Sequence, residues 1–252
     1  MLCVTILTIS LPALLNQSTG GSELSAQRAK KLQQHIRSIS IKVLAHGQTI
    51  GSGILFDRLD RLYTVATNAH VLQSASAPFQ LQTPDGQIYA AALVSPPLGQ
   101  NRDLSILRFE SLRTYNIAKL AKTIPKIGDR VWASGFPLDP QTLSAQSTVA
   151  PLGLTIADGQ ITQILPTAMS GGYSIGYDNP IRKGMSGGVL VNQDGELVGM
   201  NGVHADPLWN TAEILEDGST VSDVVQSQIN DSSWAIPTQF IQHYVGDLAG
   251  SD

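Results

Sequence analysis

Gly184-Met185-Ser186-Gly187-Gly188-Val189-Leu190-Val191-Asn192-Gln193-Asp194-Gly195-Glu196-Leu197-Val198-Gly199 is the most informative stretch of this chain. A serine stands among glycines. After it come a short apolar run, a Gln193-Asp194-Gly195 turn and a second apolar run, which together make a β-hairpin pattern. Glycines around a serine free the backbone to turn its N–H groups toward developing negative charge. The stretch also satisfies G-x-S-x-G, the nucleophile elbow of α/β-hydrolases. That motif needs a strand before the serine, a helix after it, and an acid and base downstream. Here a hairpin follows, and the downstream bases on offer are His204 and His243. His243 lies among polar positions of an amphipathic segment, where a solvated histidine is the simpler account.

Outward from this stretch, the chain reads as many short β-type runs. They are Ile39 to Val43, Ile54 to Phe56, Tyr63 to Thr67, Gln87 to Val94, Leu104 to Phe109, Arg130 to Ser134, Gln160 to Leu165, Val189 to Asn192 and Glu196 to Asn201. Turn signals separate them, notably His46-Gly47, Pro84-Asp85-Gly86, Ile127-Gly128-Asp129 and Asp194-Gly195. Short strands at regular spacing predict a sandwich or barrel and not a βαβ sheet. Helical spacing is confined to Ser22 to Arg37 and to the end, where Phe240, Ile241, Tyr244, Val245 and Leu248 form one stripe after Pro237-Thr238. The region Leu112 to Lys126 is the natural seam between two β-rich halves.

Composition narrows the classes. The 252 residues carry 16 Lys plus Arg against 20 Asp plus Glu, a net charge of −4, and charged residues make up only 14%. This lacks the basic footprint of a nucleic-acid-binding protein. A single cysteine, Cys3, excludes an intrachain disulfide and any multi-cysteine metal site. His35, His46, His204 and His243 lack ligand spacing with one another or with carboxylates, so no metal or other cofactor is expected. Met1 to Leu15 is almost wholly apolar but short of the roughly 20 residues that span a bilayer. It reads as a secretory signal or its remnant, and an extracytoplasmic (periplasmic or secreted) location follows. No Lys or Arg precedes the run and no A-x-A site ends it, so a buried first strand or a mis-assigned start is the alternative. The expected organisation is 1–22 signal or disordered, 23–124 helix plus first β-unit, and 125–252 second β-unit with a closing helix.

Two further patterns precede Ser186: Thr67-Asn68-Ala69-His70-Val71 ends a β-type run and Asn101-Arg102-Asp103-Leu104 opens another. A serine hydroxyl is a weak nucleophile, and an imidazole takes its proton near neutral pH. A carboxylate holds the imidazole tautomer and stabilises the imidazolium. Each pattern alone is weak, since a lone histidine at a strand end is more often a satisfied polar residue and an aspartate before a strand is more often a turn cap. The chain supplies its own control, because Met-Ser-Gly-Gly also occurs at 169–172. There Ala168 precedes it, and Tyr173-Ser174-Ile175 follows as no strong strand. Ser170 therefore reads as a loop residue and Ser186 as the candidate nucleophile.

With His70, Asp103 and Ser186 in that order, the chain resembles the trypsin/chymotrypsin-like serine proteases, most of all bacterial members of the high-temperature-requirement type. Thr67–Val71, Asp103–Leu107, Ile181–Gly188, Gly195–Asn201 and Trp234-Ala235-Ile236-Pro237 carry the resemblance, spanning roughly residues 38 to 240. It implies an all-β fold of two antiparallel six-stranded barrels, with a closing helix and the site in the cleft between them. It implies a serine endopeptidase acting on polypeptides: His70 as general base, Asp103 as its orienting acid, Ser186 as the acylated residue. Gly184 and Ser186 would supply the oxyanion hole, and Ile181 would line the specificity pocket. Pro180 stands where trypsin has the aspartate that selects basic side chains, so small or medium apolar side chains are expected before the scissile bond. Asp178 nearby complicates that reading. Met185 replaces the aspartate that pairs with a new N-terminus in the digestive enzymes, and no Ile-Val-Gly-Gly site is present. Activation by that salt bridge is not expected. With 14 or so residues after Thr238, the PDZ domain that follows in the high-temperature-requirement group is not expected. The alternatives are a catalytically silent double-barrel binding protein and an α/β-hydrolase-type esterase.

Overall fold

The computed structural model describes residues 19–94, 102–138, 153–203, 215–221 and 223–249. Helix α1 (Thr19–Ile39) runs directly into strand β1 (Ser40–Ala45). His46 and Gly47 then turn the chain at φ 50° and 76°. A two-residue hairpin loop needs this left-handed pair to match the twist of its strands. The first barrel continues through β2 (Gln48–Leu59), β3 (Leu62–Thr67), the one-turn helix α2 (Ala69–Gln73), β4 (Phe79–Gln82), β5 (Ile88–Val94) and β6 (Ser105–Glu110). The second contains β7 (Arg130–Gly135), β8 (Thr155–Met169), β9 (Tyr173–Tyr177), β10 (Val189–Asn192), β11 (Leu197–Val203) and β12 (Ser233–Pro237). Helices α3 (Asp223–Asn230) and α4 (Thr238–Ala249) flank β12.

Both sheets close on themselves, in the orders β1-β2-β3-β6-β5-β4 and β10-β11-β12-β9-β8-β7, with antiparallel pairing between neighbours. Closure leaves no edge strand exposed. The expected pair of six-stranded antiparallel barrels is therefore the observed architecture, and the residues after Ser186 form the β10–β11 hairpin, not a helix. This removes the α/β-hydrolase alternative.

Packing explains why several strands read as continuous apolar runs. Successive strand residues face opposite sides. Leu55 and Leu107 point into the first barrel with Ile41, Val43, Val65 and Leu81. Their neighbours Ile54 and Ile106 point outward into a cluster shared with Val189, Val191, Leu197 and Trp234 of the second barrel. Leu190, between Val189 and Val191, faces its own barrel interior with Val131, Ala133 and Tyr177. Runs such as 54–56 and 189–191 are apolar throughout because both faces are covered. Ile36 and Ile39 of α1 and Ile241 of α4 complete the shared cluster. Helix α1 thus precedes the first barrel in the chain yet also packs on the second, where His35 Nε2 lies 3.1 Å from the Gly195 carbonyl. The linker is stitched to both barrels: Ala118 N–H donates to Leu55 O at 2.7 Å, and Leu197 N–H to Lys119 O at 2.7 Å.

Strands β4, β9 and β12, and helices α2 and α3, go beyond what spacing and propensity predict. Strand β9 is buried at every position, yet Ser174 and Gly176 break the apolar run that marks the other strands covered on both faces. The apolar segment Met1–Leu15 with Cys3, and also Asn101, His204, Asp206-Pro207 and Trp209, lie outside the described residues.

Candidate active site

Strand β3 ends at Thr67, and the chain turns at Asn68 into the single turn of α2, which buries Val71 and Leu72 and leaves His70 outward. His70 is 46% exposed. Asp103 lies two residues before β6, the strand paired with β3, so the sheet brings the two residues side by side. The His70 N–H donates to Asp103 Oδ1 at 2.8 Å, and His70 Nδ1 lies 2.5 Å from Oδ2. Tyr173, from the second barrel, donates its hydroxyl to the same Oδ2. Asn68 donates its amide to the Asp103 carbonyl at 2.9 Å, and the Asp103 N–H donates to Gly171 O at 3.0 Å. Burial pushes the Asp103 carboxyl up, but the His70 side-chain hydrogen bond, the His70 charge, the Tyr173 hydroxyl and the His70 N–H outweigh it. They hold the carboxyl below the usual aspartate range.

Ser186 sits in the turn that leads into β10. Its carbonyl accepts the Ser52 N–H of β2 at 2.9 Å, and the next N–H, of Gly187, donates to Asn201 O at 2.8 Å. Gly187 has φ 83°, and a Cβ there would collide with Ser52 O and come 2.5 Å from Thr67 Oγ1. Gly184 has φ 92°, and a Cβ there would lie 2.5 Å from the Phe136 carbonyl. Only glycine meets both the left-handed backbone and the close approach. The Ser186 hydroxyl donates to the Gly202 carbonyl at 3.1 Å. His70 and Asp103 are therefore in direct contact, whereas the hydrogen bond of Ser186 goes to Gly202 and not to His70. Gly202 in turn abuts the Tyr173 hydroxyl, because a Cβ at 202 would collide with it. The three sequence-predicted residues are thus linked through Gly202 and Tyr173: Ser186 donates to Gly202, Gly202 abuts Tyr173, and Tyr173 and His70 both meet Asp103.

The Lys183 carbonyl accepts the Leu138 N–H at 2.9 Å, and the Gly184 carbonyl accepts the Ser52 hydroxyl at 2.7 Å. In a trans peptide the N–H points opposite to the carbonyl. Pinning the Lys183 carbonyl on Leu138 therefore aims the Gly184 N–H the other way. Among the described residues, the N–H groups of Gly184 and Ser186 have no protein acceptor.

Ile181 is 9% exposed and packs in the second barrel's interior cluster with Val131, Tyr177 and Met185. Asp178 is turned onto β8, accepting the Gln160 N–H at 2.7 Å. Met185 is fully buried in the same cluster, so an apolar side chain occupies that interior position. Ser170 lies in the turn between β8 and β9, and Tyr173–Tyr177 follows it as a strand. Both Met-Ser-Gly-Gly copies therefore precede strands, and the following segment does not distinguish them. Sequence reasoning missed Ser52 and Tyr173. The small polar Ser52 within Gly51-Ser52-Gly53, directly before the apolar Ile54-Leu55-Phe56, was the one available signal, and Tyr173 gave none. Among the described residues no group of three or more His, Cys, Asp or Glu is placed to hold a metal ion, and no helix is long and apolar enough to cross a membrane.

The model of the trypsin-like peptidase domain matches residues 51–200. The chain is 30% identical over 199 residues to the serine endoprotease DegS of Escherichia coli (strain K12), covering 76% of this chain and 51% of that protein. It is 26% identical over 206 residues to the periplasmic serine endoprotease DegP of the same strain, covering 79% and 35%. The crystal structure of the serine endoprotease from Yersinia pestis superposes with a TM-score of 0.61 at 24% identity, over 87% of this chain and 65% of that one, which is a likeness of fold. The chain spans from about a third to half of the length of these curated relatives. With more than half of its residues matched by the family model and the double barrel in place, the chain belongs to the trypsin-like peptidase domain family.

Proposed function

We propose that the chain is a serine endopeptidase that cleaves polypeptides through an acyl-enzyme on Ser186. The observation that carries this reading is the two-point contact of His70 with Asp103, beside the glycine-bounded turn of Ser186. Asp103 accepts the Nδ1–H and leaves Nε2 as the acceptor. In the reacting state the Ser186 hydroxyl leaves the Gly202 carbonyl for Nε2 by a change of staggered rotamer. His70 takes the hydroxyl proton as Oγ attacks the scissile carbonyl, then gives it to the leaving amine. Water repeats the cycle on the acyl-enzyme, and the Ser186 hydroxyl is restored. The Gly184 and Ser186 N–H groups, which have no protein acceptor among the described residues, receive the oxyanion, and losing one such donor costs about 3 kcal/mol of transition-state stabilisation. Ile181 forms the apolar floor of the specificity pocket, and the turn of Asp178 onto β8 supports a preference for small or medium apolar side chains before the cleaved bond. The periplasmic naming of DegP supports an extracytoplasmic place of action.

A fluorophosphonate probe tests the reading. Wild-type protein is labelled, Ser186→Ala is not, and Ser170→Ala still is. An unlabelled wild type overturns it in favour of a double-barrel binding protein. Cleavage profiling on a peptide library then reads the side-chain preference.

A further inference from the structure

We propose that Tyr173 is a positioning residue for Asp103: its phenol hydroxyl, lodged in the space left by glycine at 202, fixes the carboxylate that orients His70. The inference rests on the catalytic reading above and adds to it a residue from the opposite barrel.

Four observations carry it. Among the described residues, His70 and Tyr173 are the side chains that donate to the Asp103 carboxylate, and both meet at Oδ2. Tyr173 is 4% exposed, so water does not substitute for it without cost. Asn68, two residues before His70, donates its amide to the Tyr173 oxygen at 3.3 Å. With that lone pair occupied, the phenol proton is directed onward to Asp103. Lastly, Gly202 makes room: a Cβ there would strike the hydroxyl, Cε1 and Cζ of Tyr173. The second Met-Ser-Gly-Gly acquires a role here. Gly171, at φ 87°, ends the turn after β8, takes the Asp103 N–H on its carbonyl, and delivers Tyr173 two residues later.

Among the described residues the groups facing Asp103 are few. His70 faces it from α2 and Tyr173 from β9, and Tyr177 is the next titratable group behind Tyr173. The neighbouring Arg102 is drawn away, to Glu216 at 3.5 Å and over the Phe240 ring at 3.6 Å. Burial first, and then the Asp103 charge, hold the Tyr173 hydroxyl well above the usual phenol range, so it stays a neutral donor. A carboxylate oxygen with two donors is locked in plane and carries less free charge. Without the phenol, Asp103 stabilises the imidazolium more strongly and holds the imidazole less firmly.

The test is the rate of fluorophosphonate labelling of the full chain as a function of pH. Tyr173→Phe removes only the hydroxyl. It is expected to label about tenfold more slowly, the scale of one hydrogen bond to a charged group, with its half-maximal pH moved upward. Gly202→Ala keeps the phenol but displaces it, and moves both readouts the same way even if Tyr173→Phe fails to fold. Tyr173→Ala combined with Gly202→Ser returns a hydroxyl from the other side and recovers part of the rate, which a purely packing role of the ring would not allow. Labelling of folded Tyr173→Phe or Gly202→Ala at the wild-type rate with an unmoved half-maximal pH overturns the proposal, as does a double variant without recovery. An unlabelled wild type instead defeats the underlying catalytic reading.

Discussion

Ser52 of the first barrel donates its hydroxyl to the carbonyl of Gly184 in the second, at 2.7 Å across 132 residues of sequence. The same oxygen accepts the Phe136 N–H at 2.8 Å, and the Ser52 backbone N–H donates to the Ser186 carbonyl at 2.9 Å. One small side chain therefore fixes both the turn that carries the candidate nucleophile and the loop beside it. Replacing Ser52 with Ala takes this partner from the half-buried Phe136 N–H and from the buried Gly184 carbonyl. The expected loss is about 1–3 kcal/mol of stability, read from urea unfolding, with slower fluorophosphonate labelling. An unchanged unfolding midpoint and labelling rate would contradict the role.

Gly187→Ala meets two obstacles at once: a left-handed φ of 83° and a collision with the Ser52 carbonyl. Strain and overpacking together are expected to cost about 2 kcal/mol or more. The same unfolding measurement checks it, and a midpoint within error of wild type would show that the two barrels yield at this contact.

Met185 is fully buried in the second barrel's interior. Met185→Asp places a carboxylate there with no cation among the cluster residues around it. An unpaired buried charge is expected to destabilise the chain by about 3 kcal/mol or more, seen as a lower thermal midpoint. If the variant instead folds normally and gains activity after N-terminal trimming, a charged switch is available that Met185 conceals.

The N-terminal residues are predicted to be dispensable for activity up to Gln34. Truncation there keeps His35 on Gly195 and leaves Ile36 and Ile39 in the shared cluster. Activity near that of the full chain is expected at each successive cut, and an abrupt gain after one particular cut would refute it.

The Asp103 carboxyl lies below its ordinary value in the folded chain, so the unfolded chain binds its proton more tightly. Its contribution to stability is complete above the unfolded value of about 3.9 and disappears as pH falls through the lower folded value. Asp103→Asn should therefore flatten part of the decline of the urea midpoint below about pH 4. Identical curve shapes for the two proteins would count against this coupling.

Much of the molecule was legible from residue order. Val189-Leu190-Val191 and Ile54-Leu55-Phe56 announced strands because side chains buried on both faces must be apolar throughout. His46-Gly47 announced a hairpin because that turn requires two left-handed residues. Strand β9 stayed hidden for a physical reason. Its Gly176 is small so that Trp234 of the adjacent β12 can cross it, a Cβ there lying 3.0 Å from the indole. A neighbour 58 residues away thus sets a residue that locally argues against a strand.

Residue types and their spacing determined an all-β sandwich or barrel in two halves, with an imidazole, a carboxyl and a hydroxyl in that order along the chain; the pair of six-stranded barrels was implied by the family resemblance. Which groups touch was decided only by the closing of each barrel and the docking of the two. Closure of the second barrel set the Ser186 hydroxyl on Gly202, and docking set Ser52 under Gly184 and Tyr173 on Asp103 across 70 residues of sequence. Hydrogen bonds act over about 3 Å, and no local pattern encodes a distance that the packing of two closed sheets must first establish.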